Sequence, residues 1–149
     1  MKEQFIKKGD FYMDIEEVKE WIRLAESDLD AAKILNEAPR KHYENICYNC
    51  AQAVEKYLKG YLVYNGIEPQ KTHDLLFLNK ICSKIDKLFE NIVIECGFLK
   101  RCASDMRYPH KYEITGDDVS FSIKATEKVR NCKPINDMII NISKSTNQQ

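Results

Sequence analysis

Apolar residues recur every three or four positions along almost the whole chain, and this spacing limits the fold more than any other feature. Ile15, Val18, Ile22, Ala25, Leu29, Ala32 and Leu35 fall on one helical stripe, with Glu16, Lys19, Glu20, Arg23, Asp30 and Lys33 on other faces. The stripe predicts a first long amphipathic helix, closed at Ala38-Pro39 because proline disfavours α geometry in the residue before it. A second helix is expected from about Tyr43 to Asn65, ending at Gly66, a residue suited to a left-handed cap. Its stripe reads Cys47, Cys50, Val54, Tyr57, Tyr61 and Tyr64, widened by Ala51, Leu58 and Leu62. Thr72 is the expected cap of a short third helix ending near Cys82, with Asp74 in its first turn, where negative charge suits the helix dipole. Ile85, Leu88, Phe89, Ile92, Cys96, Leu99 and Ala103 mark a fourth. A fifth begins near Gly116-Asp117 and carries Val119, Ile123, Thr126 and Val129 on one side. Lys133-Pro134 is expected to kink or interrupt it before Ile135, Met138, Ile139 and Ile142 continue the apolar face.

Five Gly and four Pro in 149 residues are too few for the many turns of an all-β chain. The expectation is an all-α, up-and-down antiparallel bundle of about five helices, long enough to bury its own core. Residues 1–12 read as an irregular N-terminal extension, 13–143 as the bundle domain, and 144–149 as a disordered polar tail. Lys plus Arg number 23 and Asp plus Glu number 23, so no global field draws the chain to nucleic acid or membrane. Any site for a polyanion must be local. No apolar run approaches the ~18 residues that span a bilayer. The N-terminus lacks the apolar region of a secretory signal. The expected setting is the cytoplasm, with the six cysteines as free thiols.

Cys47-x-x-Cys50 has the spacing of half a zinc site or of a redox motif. A structural zinc site needs two further ligands, commonly a second such pair, and Cys82, Cys96, Cys102 and Cys132 form none. A thioredoxin-like role needs a β-α-β setting, which the pattern does not offer. Both cysteines share the stripe of Val54 and Tyr57, and free cysteine packs as a small hydrophobe. Core packing is therefore the expectation, and neither a metal nor a cofactor is implied. On another face of the same helix, Gln52, Glu55, Lys56 and Lys59 stand at neighbour spacing, with Glu55 and Lys59 in the favoured ion-pair orientation. A solvated face is the default for such a pattern.

The run CAQAVEKYLKGYLVYNG, followed by THDL and later by RYP, resembles the HEPN domain family (higher eukaryotes and prokaryotes nucleotide-binding). The resemblance extends from about Ile15 to Ile142 and rests on the order of these motifs within a helical context. It implies a homodimeric helical bundle with a cleft at the dimer axis and an association with nucleotides or RNA. It also implies a minimal nucleotidyltransferase as partner in prokaryotic toxin–antitoxin or defence modules. Active ribonucleases of this family carry an Arg and a His separated by a longer spacer than here, where only Tyr108 and Pro109 stand between Arg107 and His110. The metal-independent RNA-cleaving motif is thus absent in its usual form.

Arg107 offers a planar fork for phosphate, and Tyr108 a ring on which a base can stack. The plainer reading of this loop is structural, with Arg107 paired to Asp105 or to a helix end. Lys56, Lys59 and His73 complete the candidate nucleotide- or RNA-binding set; the plain alternatives are solvation for the lysines and a local contact near the helix cap for His73. Arg107 and His110 are the candidate catalytic pair of an alternative ribonuclease reading. There, two protomers bring them together, the ribose 2′-hydroxyl attacks the adjacent phosphate, His110 moves the proton and Arg107 stabilises the added charge. A third alternative is a protein-interaction partner with no ligand of its own, with Tyr108 as a conceivable acceptor of modification.

Overall fold

The computed structural model describes residues 5–8, 11–104, 109 and 113–147, with side chains for 13–104, 109 and 113–145. Two short strands, β1 (Phe5–Lys8) and β2 (Phe11–Asp14), precede six helices: α1 (Ile15–Glu37), α2 (Tyr43–Tyr64), α3 (Leu75–Ile85), α4 (Val93–Ser104), α5 (Gly116–Asn131) and α6 (Lys133–Asn147). A 3-10 turn at Lys87–Ile92 joins α3 to α4.

Helix α2 is the axis of the bundle. Ile46, Cys50, Ala53, Val54, Leu58 and Leu62 point to different sides of it, and all are buried. A helix that is apolar around most of its circumference belongs inside, and α2 packs against α1, α3, α4, α5 and α6. Its closest neighbour is α1, and Gly60 is the reason they approach so tightly. A Cβ at position 60 would lie 3.0 Å from the Cβ of Trp21, closer than two side chains normally come. The stripe of α1 contributes Ile15, Val18, Ala25, Leu29 and Ala32 to the same core, flanked by partly buried Ile22 and Leu35.

The ends of the two long helices follow from local chemistry. Asp14 accepts a hydrogen bond from the Glu17 amide at the start of α1, and Ala38 turns extended before Pro39 at its end. Gly66 adopts φ 74°, and its amide donates to the Val63 carbonyl at 2.9 Å. The Ile67 amide donates to the Leu62 carbonyl, also at 2.9 Å, which completes a Schellman motif. Helix α5 opens with a reciprocal box between Thr115 and Asp118.

Four local expectations are corrected. The segment expected to be irregular contains an antiparallel hairpin, with Phe5 opposite Asp14 and Lys8 opposite Phe11. Two runs of β-forming residues on either side of Gly9-Asp10 carry that signal, which a search for helical spacing passes over. Asp74, not Thr72, caps α3: its carboxylate accepts from the amides of Leu76 and Phe77, while Thr72 Oγ1 accepts from the Asp74 amide. The expected fourth helix is divided, because Asp86 is extended and its side chain takes the Leu88 amide, starting a 3-10 turn before α4. Finally, α6 continues through the polar tail to Asn147, where a disordered end was expected from residue 144. Lys133-Pro134 does interrupt the last apolar run: α5 stops at Asn131, Cys132 is extended, and Pro134 sits in the first turn of α6, where its missing donor costs little. No helix among the described residues is long and apolar enough to cross a membrane.

Candidate functional site

Helix α2 carries Glu55 and Lys59 one turn apart, and the loop before α3 brings His73 to the same place. That loop is fixed at its start by the Gly66 cap and at its end by Asp74. The Asp74 carboxylate is held by the two amides of α3 and by Lys100 of α4, whose Nζ lies 3.1 Å from Oδ2. Burial pushes the Asp74 carboxyl up, but these donors outweigh it and hold the group below the usual carboxylate range.

Glu55 divides its two oxygens between two partners. Oε2 faces Lys59 Nζ at 3.3 Å, and Oε1 accepts from His73 Nδ1 at 2.9 Å. The side chains of Glu55 and Lys59 are 7% and 9% exposed, whereas the His73 ring is 82% exposed. The Lys59 ammonium also lies 5.9 Å from the centre of the Trp21 ring, a cation–π contact that occupies its remaining side. Taking such a pair out of water costs several kcal/mol per ion, which attraction offsets only when the geometry is good. The expectation of a solvated face is therefore corrected here: Glu55 and Lys59 are buried, and Gln52 and Lys56 half-buried. The reason is that α1 and the α3 side of the bundle both cover this part of the central helix. Lys56 pairs with Asp28 of α1. The ammonium groups of Lys56 and Lys59 thus each face a carboxylate of this chain.

His73 lies near the α3 cap as expected, but its partner comes from α2, far away in sequence. Glu55 is the residue that sequence reasoning did not include in the site. Its spacing to Lys59 announced an ion pair, and nothing in the periodicity linked it to His73. Arg107, Tyr108 and His110 lie outside the described residues; α4 ends at Ser104, shortly before them.

A second carboxylate cluster lies farther along α1. Glu26 takes two hydrogen bonds from Arg130 Nε, each 3.0 Å, and one from the Tyr57 hydroxyl at 2.8 Å. Burial raises the Glu26 pKa, yet the bonds from Arg130 and Tyr57 leave it below the usual range. Burial and the same carboxylate push the Tyr57 phenol upward. This cluster joins α1, α2 and α5.

The Cys-x-x-Cys pair is packed into the core, both residues 0% exposed. Burial pushes the Cys50 thiol up to about 12. Cys47 accepts from Ser122 Oγ at 3.3 Å. A hydrogen bond from Cys102 holds Cys47 below the usual thiol range, and Cys102 itself is pushed up by that contact and by burial. Among the described residues no group of three or more His, Cys, Asp or Glu is placed to hold a metal ion.

The α3–α4–α5 side presents an apolar surface. Ile94 is 76% exposed, and Phe98, one turn along α4, meets Phe121 edge-on with ring centres 4.6 Å apart. Arg101 lies 5.7 Å from the centre of the Phe98 ring. Leu76 of α3 sits beside Gly97, where its methyl groups would be in ordinary contact with a Cβ.

Comparison with known proteins fits this architecture. The sequence model of the HEPN domain matches residues 18–136. A crystal structure of an archaeal HEPN homologue superposes with a TM-score of 0.61, covering 84% of this chain and 97% of that one at 25% identity. Among functionally curated proteins there is no match. The matched span runs from within α1 to the start of α6 and contains most of the buried core, so the chain belongs to the HEPN domain family.

Proposed function

We propose that this protein is a nucleotide- or RNA-binding module that works as a homodimer, its bundle domain spanning residues 13–143. Membership of the HEPN domain family is the observation that carries the reading. Arg107 and Tyr108 clamp a phosphate and a base, and Lys56, Lys59 and His73 lie on the helix face and loop that complete the site. Exposed Ile94 of α4 and half-buried Phe98 one turn along support a two-fold arrangement, because they give this side an apolar patch. A second copy seated there would form an isologous interface, and an interface of this kind needs an apolar centre. A minimal nucleotidyltransferase is the proposed partner, within a prokaryotic toxin–antitoxin or defence module acting in the cytoplasm.

Binding of a labelled oligoribonucleotide at low salt tests the reading. Arg107→Ala is expected to weaken it by about thirtyfold, the loss of roughly 2 kcal/mol from one charge-assisted contact. Arg107→Lys is expected to restore only part, because the planar fork is lost while the charge remains. His110→Ala is expected to leave binding intact. Cleavage of the RNA in chelator, abolished by His110→Ala, would replace this reading with the ribonuclease. Light scattering is expected to give a dimer that Ile94→Asp converts to a monomer. A wild-type monomer at micromolar concentration, or no binding of the oligoribonucleotide, counts against the proposal.

A further inference from the structure

An exposed histidine ring ordinarily samples several rotamers, yet His73 is held at one nitrogen by a carboxylate that is itself inside the protein. Glu55 does not need His73 for its own satisfaction, since Lys59 already neutralises it and Trp21 covers Lys59. The second oxygen of Glu55 is turned outward and fixes the ring. An ionised carboxylate only accepts, so Nδ1 is the donor, and in the neutral ring Nε2 then presents a lone pair. No described residue partners Nε2.

The surrounding charge decides what such a lone pair suits. Lys59 faces Glu55 and Lys100 faces Asp74, so each of these two ammonium groups is matched by a carboxylate. A phosphate gains little from a balanced cluster of this kind, and two carboxylates close by oppose it. A neutral hydrogen-bond donor fits better. In a nucleic acid the donor that distinguishes RNA from DNA is the ribose 2′-hydroxyl.

We propose that His73, positioned by Glu55 and Lys59, accepts a hydrogen bond from a ribose 2′-hydroxyl through Nε2 and so selects RNA over DNA. This rests on the nucleic-acid reading above and adds the sugar specificity of the site. His73 is the residue that touches the ligand; Glu55 and Lys59 are positioning residues.

The test compares a labelled oligouridylate with the deoxyuridine oligomer of the same length, using the full chain. Wild type is expected to prefer the ribose oligomer by about fivefold, the worth of one net neutral hydrogen bond. His73→Ala is expected to abolish the preference, with the larger loss of affinity falling on the ribose oligomer. The double variant Glu55→Leu/Lys59→Met keeps the packing but frees the ring, and is expected to lose most of the preference too. Circular dichroism on each variant establishes that the bundle is intact. If His73→Ala weakens both oligomers equally, His73 contacts phosphate and the proposal fails while the binding reading stands. A wild-type protein that binds both oligomers equally well fails it in the same way. If neither oligomer binds wild type, the nucleic-acid reading falls and takes this inference with it.

Discussion

Glu26 and Glu55 both leave side faces of long helices and both anchor a cation, but their clusters end differently. Glu26 gathers Arg130 and the Tyr57 hydroxyl, and every bond ties one helix to another. Glu55 gathers Lys59 on the inside and an exposed imidazole on the outside. The first arrangement explains itself by packing: Tyr57 is 0% exposed, and its hydroxyl needs an acceptor once α1, α2 and α5 close around it. The second buries two charges more deeply and spends part of that burial on a ring that stabilises little. A polar cluster whose every bond ties helix to helix reads as architecture, and one that ends in solvent on a fixed ring reads as a site.

The largest expected effect separates these roles at Glu55. Glu55→Ala leaves the Lys59 ammonium buried without its carboxylate, and breaking a buried pair in this way costs about 3 kcal/mol. Replacing both partners by apolar residues of similar volume removes that penalty. Glu55→Leu/Lys59→Met is therefore expected to return to within about 1 kcal/mol of wild type in urea denaturation. A double variant as unstable as the single one would mean that the pair holds the fold together, and the contrast between the two clusters would collapse. At the other cluster, Glu26→Ala removes the acceptor of the buried Tyr57 hydroxyl and the partner of Arg130. That is expected to cost about 2 kcal/mol with no change in nucleic-acid affinity. Weaker oligoribonucleotide binding by a well-folded Glu26→Ala protein would place function in the wrong cluster.

The same contrast shows how much of the molecule could be read from its sequence. Helices α1 and α2 were legible because Pro39 and Gly66 end them and long apolar stripes run between those stops. The division at Asp86 was not, since a 3-10 turn also places residues three apart on one side, and the spacing from Ile85 to Ile92 continues unbroken. Tyr57 could be assigned to the core from its stripe, but not its acceptor, which belongs to another helix. Glu55 and Lys59 were assigned to solvent because their pattern is that of a surface ion pair. Burial depends on what covers a helix face, and that information lies in the packing of α1 and the α3 loop, not in α2. His73 was a candidate from its place beside the cap, and only the folded chain supplies Glu55 as its anchor.

The smallest expected effect concerns the charge on Glu26. Its folded pKa lies below the ordinary value despite burial, so its ionised form contributes stability that is fully present above the unfolded pKa of about 4.3 and is lost as pH falls through the folded value. Arg130 is shifted upward, chiefly by its hydrogen bond to Glu26, and stays charged throughout that window. The Glu26 side chain is 35% exposed, so solvent screens the attraction and the contribution stays below about 1 kcal/mol. Glu26→Gln keeps the shape and an acceptor for Tyr57 while removing the charge. The gap in unfolding free energy between wild type and Glu26→Gln, measured in urea, is expected to be open at neutral pH. It should close in acid, where wild-type Glu26 is itself neutral. A gap that is the same in both conditions would show that Glu26 acts through hydrogen-bond geometry alone, and its cluster would then differ from that of Glu55 in exposure but not in the use of charge.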